Sequence, residues 1–352
     1  MRKVLFLTTI EFRLPFNGGT VYSHCLYQAL QAVAQVEVCV LRGVRRFEAD
    51  KLHKLACLLR GLVSPVPLNV LYHSGFSSQA PPSATAYDLV VVDHIESYET
   101  VRATGVPCVL IAHNLEYRLA ADKIQSGAIS RLFSLRKRLE AYERQAFSEV
   151  AGVICISATE LDIVRELNPR CVQLLPAFSG RPVASSHSDV LRLGFLGPAH
   201  WMSNWRTVDM LVKEVLPHLS RPFEFVLAGS GWAESGITFP PETRQLGFVE
   251  HTDDFWQAID LLVAPTQQGA GVNIKICEAM YAGRNVVTNT SSTEAIFGSK
   301  PLPDTLVAVD TNADLRSFLE TFSIPETIPS QQLFTQDVLV ERMRAFLESL
   351  DV

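Results

Sequence analysis

The chain has 352 residues, 47% hydrophobic and 19% charged, with a formal net charge of −6. That composition excludes a disordered chain, and the negative balance offers no footing for nucleic acid. At about 150 residues per domain, the length predicts two domains.

The seven cysteines are odd in number, scattered and without a C-x-x-C pair, so they read as reduced thiols in a reducing compartment. No segment reaches the roughly 18 apolar residues of a spanning helix. The opening run 4–10 is short and followed by Glu11 and Arg13, which makes it a buried first strand and not a targeting signal. The expectation is a cytoplasmic protein, at most peripheral to a membrane.

Short apolar runs then alternate with helical patterns. Residues 4–9 predict a strand, 22–34 an amphipathic helix and 36–41 a second strand. Further strands are predicted over 88–92, 108–112, 150–156 and 172–175, with a charged helix over 131–149. Runs rich in Val, Ile and Leu suit parallel strands covered on both faces. A polar stretch at 179–189, containing Pro182, predicts a linker. A second α/β pattern follows, with strands over 191–195, 223–228, 243–246, 261–263 and 285–288 and helices over 206–219, 253–258 and 273–281. A last helix is predicted over 334–350. The fold class is α/β, with two Rossmann-like doubly wound domains and a central cleft. The predicted boundaries are 1–182, 183–330 and a C-terminal helix within 331–352 that packs back on the first domain.

Ligands of open α/β sheets bind beyond the carboxyl ends of the strands, so the loops there matter most. After the first strand comes Asn17-Gly18-Gly19-Thr20. Paired glycines and a helix start suit an anion, although an ordinary strand-to-helix turn reads the same way. No G-x-G-x-x-G is present, so a dinucleotide fingerprint is unsupported.

A second glycine-rich loop, Gly269-Ala270-Gly271-Val272-Asn273, leads into a helix carrying Lys275 and Glu278. A cation in a helix's first turn opposes the macrodipole and makes better sense facing a bound anion. Glu278 shares the face of Lys275 and suits two sugar hydroxyls; the competing reading is a Lys–Glu surface pair.

His113-Asn114-Leu115-Glu116 follows the strand 108–112, and Asp93-His94-Ile95-Glu96 follows the strand before it. A histidine at a strand's end suits proton handling near neutrality, or else bonds to backbone. Asp93 also reads as a helix cap. Arg42, Arg45, Arg46, Lys51, Lys54 and Arg60, interleaved with leucines, suit contact with anionic lipid or a solvated helix face. No Cys/His cluster has metal-ligand spacing, and D-x-D and G-x-S-x-G are absent. No metal and no obligatory cofactor is expected; a nucleotide sugar would be a substrate.

The segment 271–283, followed by Val286-Val287-Thr288, resembles the donor-binding segment of family 4 retaining glycosyltransferases of the GT-B fold. Asn17-Gly18-Gly19 resembles that family's first glycine loop. Ala228-Gly229-Ser230-Gly231 and Leu246-Gly247-Phe248-Val249 resemble loops of its second domain. The likeness spans roughly residues 1–300.

It implies that Gly18, Gly19 and Thr20, with Gly271, Val272, Asn273 and Ile274, contact the donor diphosphate. It implies that Glu278 holds the ribose and that the backbone near Phe248 and Val249 receives the base. His113, Lys275 and Glu278 would be catalytic, with His94 and Glu116 on the acceptor side. Retention would follow from front-face attack, the leaving diphosphate helping to take the acceptor proton.

Two positions depart from the family. Its earlier Glu, eight residues before Glu278, is Ala270 here, with Gln267 or Gln268 nearby. Its Arg…Lys pair is not plain in 197–206, where Asn204 and Arg206 stand, and Lys275 or Arg206 would neutralise the phosphates.

The expected function is transfer from a nucleoside-diphosphate sugar, UDP before GDP, to a saccharide or lipid-linked hydroxyl in polysaccharide or glycoconjugate synthesis. The alternatives are an epimerase or phosphorylase of the same fold, or a non-catalytic nucleotide-sugar-binding subunit.

Overall fold

The structure is a computed structural model. It describes residues 2–12, 17–41, 57, 59–61, 64–67, 70–71, 83–119, 135–179, 190–266, 271–324 and 332–350. Residues 180–189, most of the predicted linker, lie outside these. So do Arg42, Arg45, Arg46, Lys51, Lys54, Gln267, Gln268 and Ala270. The chain divides into two units, residues 1–176 with 336–352, and residues 177–335.

In the first unit the described strands are β1 (Lys3–Thr8), β2 (Gln35–Val40), β3 (Leu89–Asp93), β4 (Cys108–Ala112), β5 (Gly152–Cys155) and β6 (Cys171–Gln173). They form one parallel sheet in the order β2-β1-β3-β4-β5-β6. Strands β3, β4 and β5 are buried at every position, which explains their unbroken apolar sequences. Among the described residues its longer helices are α1 (Gly18–Gln31), α2 (Leu135–Glu149), α3 (Ala158–Arg165) and a final one, Gln336–Ser349, and a further helix starts at Glu116.

That last helix packs on this unit through Leu339, Met343, Phe346 and Leu347, and Arg2 donates to the carbonyl of Leu347 at 2.7 Å. Gly152 permits the approach. A Cβ there would stand 2.8 Å from both Leu350 and Phe346.

The second unit has β7 (Leu191–Leu196), β8 (Phe223–Ala228), β9 (Thr243–Gly247), β10 (Leu261–Val263), β11 (Asn285–Thr288) and β12 (Leu306–Ala308). Its parallel order is β12-β11-β10-β7-β8-β9. Helix α4 (Met202–Met210) starts four residues earlier than the sequence pattern indicates, and runs on through a widened turn, Leu211–Val215, and a tight one, Leu216–His218, containing Pro217. Then come α5 (Thr252–Ala258), α6 (Ile274–Tyr281), α7 (Thr290–Phe297) and α8 (Asn312–Thr321); the last helix of the chain is α9. Among the described residues no helix is long and apolar enough to cross a membrane.

Each sheet has a point where the strand order reverses. In the first unit the chain leaves β1 for β2 on one side and returns to β3 on the other. In the second it leaves β7 for β8 on one side and reaches β10 on the other. Loops part at such points and leave a crevice beyond the strand ends.

Candidate active site

The first crevice is built around Asp93, the last residue of β3 and fully buried. Parallel register sets it opposite Thr8 at the end of β1, and Thr8 Oγ1 donates to its Oδ2 at 2.9 Å. Ser23 on α1 donates to the same oxygen, also at 2.9 Å. His113, one residue past β4, places Nε2 2.6 Å from Oδ1. A carboxylate only accepts, so Nε2 carries the proton and Nδ1 the lone pair.

His94 places Nδ1 3.3 Å from Oδ1 and stacks on His113, with centroids 3.8 Å apart and planes 15° from parallel. Its φ of +72° is the only positive value at a described non-glycine residue. Strain of this kind concentrates at functional sites. Tyr22 packs edge-on against His113 at 5.2 Å.

Burial works against the Asp93 charge, yet the two imidazoles hold its carboxyl well below the usual range. Desolvation also opposes the charge on His94, but Asp93 outweighs it and raises the imidazole to about 9. Burial and the adjacent His94 charge push His113 below its ordinary value, despite Asp93. The two imidazoles are thus shifted in opposite directions, His94 toward its charged form and His113 toward its neutral one.

Asp93, His94 and His113 also form a group of metal-ligating type, with ligand atoms within 4.8 Å of one another. Asp93 Oδ1 already faces both imidazoles, and Oδ2 takes Thr8 and Ser23. Near-parallel rings do not converge two lone pairs on one ion.

Gly18, Gly19 and Thr20 open α1 beside this crevice. Asn17 and Thr20 close a capping box: Thr20 N–H donates to Asn17 Oδ1 at 3.0 Å, and Asn17 N–H to Thr20 Oγ1 at 3.1 Å. The Thr20 amide is thus committed to the cap, and the amides of Gly18 and Gly19 are the ones suited to an anion. Glu116 follows His113 on the same loop, and its backbone N–H donates to Glu143 at 2.9 Å.

The second crevice lies between the loops after β7 and β10. Lys275, in the first turn of α6, donates to Asn204 Oδ1 at 2.9 Å and lies 4.0 Å over the ring of Phe195. Asn204, on α4, is held in turn by its Nδ2 donating to the carbonyl of Pro198 at 3.0 Å. Neither partner of Lys275 is charged, and burial pushes the lysine down to about 7.

Glu278 does not pair with Lys275. Its Oε1 accepts from Thr252 Oγ1 and from Trp256 Nε1, the latter at 3.3 Å. Burial raises its carboxyl against those donors. Oε2 has no hydrogen bond among the described residues.

Gly271 has a φ of +85°, and Asn273, at the N-cap of α6, bonds Thr266 Oγ1 at 3.0 Å instead of its own helix. The first turn therefore has no side-chain cap, and Val272 and Ile274 flank it.

Beside this, Gly229 and Gly197 bring the loops after β8 and β7 together. A Cβ on Gly229 would stand 2.2 Å from the Gly197 carbonyl oxygen. Phe248, 73% exposed, and half-buried Val249 follow β9, and Gly229 N–H donates to the carbonyl of Gly247 at 2.7 Å. Arg206 is not brought to Lys275. It is exposed and two residues from Asn204, so it points to a different side of α4.

Residues 191–317 match the model of the family described as Glycosyl transferases group 1. Comparison of the sequence with curated proteins finds no match. Among solved structures, sucrose-phosphate synthase from Thermosynechococcus elongatus superposes with a TM-score of 0.69 at 14% identity, over 99% of each chain. HepE of Anabaena, in complex with UDP-glucose, gives 0.60 at 16% identity, over 99% of this chain and 100% of that one. The lipopolysaccharide outer core galactosyltransferase WaaB, in its apo form, gives 0.54 at 14% identity, over 98% and 95%. The chain has the GT-B fold.

Within this GT-B chain, sequence reasoning missed several residues that build the crevices. Thr8 and Ser23 read as ordinary strand and helix positions, and Asp93 as a cap. Thr252 and Trp256, which hold Glu278, lie on α5, a helix identified only by its outline. Glu143 sat inside the charged helical pattern 131–149 and gave no signal of its own, and Glu160 lies on α3, for which no helix was predicted.

Proposed function

We propose that this GT-B protein is a glycosyltransferase that moves a sugar from a nucleoside-diphosphate sugar, UDP before GDP, to a hydroxyl of a saccharide or lipid-linked acceptor. The observation that carries the reading is Lys275. Its amine stands at a helix N-terminus, at the reversal point of the second sheet, and among the described residues it meets Asn204 and Phe195 and no acid. Such a group suits an anion that arrives with the substrate. The family match over 191–317 encloses it, and the similar structure of HepE contains UDP-glucose.

In this reading the diphosphate lies on the uncapped first turn of α6, near Gly271 to Ile274, with Lys275 against it. The Oε2 of Glu278 accepts from the ribose, and the backbone near Phe248 meets the base. The bond from the anomeric carbon to the diphosphate oxygen breaks, and the acceptor oxygen bonds to that carbon. The acceptor proton passes to the departing diphosphate, whose charge Lys275 stabilises. His113 binds a reacting hydroxyl, and His94 and Glu116 stand on the acceptor side. The anomeric configuration is retained, no obligatory metal takes part, and the product belongs to a polysaccharide or glycoconjugate. The protein works in the cytoplasm or at the adjoining membrane surface.

The test is nucleotide release from UDP-glucose, GDP-mannose and dTDP-glucose, with and without saccharide acceptors, and proton NMR of the product's anomeric coupling. Acceptor-stimulated release with a retained anomer supports the reading. Isomerised donor without release points to an epimerase, and tight binding without turnover to a binding subunit.

A further inference from the structure

The loop that carries His113 runs into a helix beginning at Glu116. Helix starts leave backbone N–H groups without partners, which a Ser, Thr, Asp or Asn at the cap position satisfies. Here that position is Leu115. Its carbonyl accepts from Arg118 at 2.9 Å, and its side chain is buried in the core, so it cannot cap.

The donors are met from elsewhere. Leu115 N–H donates to Glu160 Oε1 at 3.0 Å, Glu116 N–H to Glu143 Oε1 at 2.9 Å and Tyr117 N–H to Glu143 Oε2 at 2.8 Å. Three successive amides thus end on two carboxylates from two other helices, α2 and α3. Glu143 is 1% exposed and Glu160 3% exposed. Burying a carboxylate is costly, and amides at a helix start are among the few partners that compensate it.

Glu143 also lines a small cavity together with His94, His113, Asn114 and Glu116, so the carboxylate borders the imidazole stack. Burial pushes its carboxyl up to about 8, against the two amides.

The geometry points to Glu143, seconded by Glu160, as a positioning residue. By fastening the three amides after His113, these two acids set where its imidazole stands against Asp93. Leu115 offers these amides no side-chain cap, so α2 and α3 supply their acceptors. The catalytic consequence rests on the transferase reading above; the structural one does not.

The experiment uses the full chain with Glu143→Gln, which keeps the volume but turns an amide donor toward one backbone N–H, and Glu143→Asp, which keeps two acceptor oxygens on a shorter arm. Three quantities are read: hydrogen exchange at Glu116 and Tyr117, the imidazole NMR signals of His113, and steady-state UDP release from UDP-glucose. In Glu143→Gln, exchange quickens about 100-fold, the His113 signals move, and kcat falls about tenfold at unchanged KM, with partial recovery in Glu143→Asp.

Faster exchange with unmoved His113 signals and unaltered kcat overturns the proposal and leaves Glu143 a plain cap. If the wild type releases no UDP, the transferase reading fails, while exchange and imidazole signals still decide the positioning role. If Glu143→Gln does not fold, Glu160→Leu, which removes the acceptor of the Leu115 amide alone, is read by the same criteria, with exchange followed at Leu115.

Discussion

The Nε2 of His113 stands 2.6 Å from Oδ1 of Asp93, and this pairing alone decides which face of the imidazole can act as a base. Replacing Asp93 by Asn keeps the shape but lets the ring take the other tautomer. Asp93→Asn and His113→Ala are each expected to lower kcat about 100-fold or more, with little change in UDP affinity. Steady-state kinetics alongside calorimetry with UDP checks this; equal losses in affinity would move His113 into donor binding.

The His94–Asp93 contact ties stability to pH. His94 is raised in the folded protein to about 9, so its contribution is complete below its unfolded value near 6.5 and disappears as pH rises through about 9. Asp93 is lowered, so its share is complete above the usual carboxylate range and disappears in acid. The melting temperature of wild type should exceed that of His94→Gln near pH 6, and the gap should close by about pH 10. A gap unaltered over that range would mean that His94 carries no charge in the fold.

Burial lowers Lys275 to about 7, with Asn204 and Phe195 facing it among the described residues. An arriving diphosphate favours the charged form and raises it again. At pH 8, binding of UDP should therefore draw a proton from solution, and Lys275→Met should bind more weakly by about tenfold without proton uptake. Calorimetry in two buffers of different ionisation enthalpy reads the proton count directly. Identical enthalpies in both buffers for wild type would show that Lys275 does not meet the anion.

Glu278 directs one oxygen at Thr252 and Trp256 and leaves the other for a ligand. Glu278→Gln should keep the fold and weaken UDP by about tenfold, roughly the loss of one charge-assisted hydrogen bond. Binding of 2′,3′-dideoxy-UDP should hardly change in that variant. A thermal-shift titration with both nucleotides separates contact with the ribose from a general effect.

Gly229 is held at a φ of +127° against the Gly197 carbonyl. Gly229→Ala should lower stability by about 2 kcal/mol through backbone strain and steric contact. Chemical denaturation checks the value. A neutral result would mean that the loops after β7 and β8 part easily.

The two sheets were legible because buried parallel strands read as unbroken apolar runs; the strands Cys108–Ala112, Phe223–Ala228 and Asn285–Thr288 match their predicted spans residue for residue. Helices α3, α7 and α8 went unnoticed. They have 8, 8 and 10 residues, no longer than the predicted α5 and α6 by more than a turn, but no glycine-rich loop introduces them as one does α6. Lys275 and Glu278 were legible because a glycine-rich loop and helix start lie beside them in sequence. Asp93 was not, because Thr8 and Ser23 reach it from 85 and 70 residues away and only tertiary folding assembles them. Glu143 was hidden for a related reason: a glutamate on a charged helix looks solvated until a loop lands on it.

The placement of α9 reaches beyond the static fold. Phe346 and Leu350 close over Gly152, yet they follow the whole of the second unit in the sequence and are made after it. The first unit must wait, with the flank of its sheet at Gly152 uncovered, until the second has been made. Removing the final turn of α9 would thus harm the half of the protein made first, and chaperone demand during translation should fall on that half.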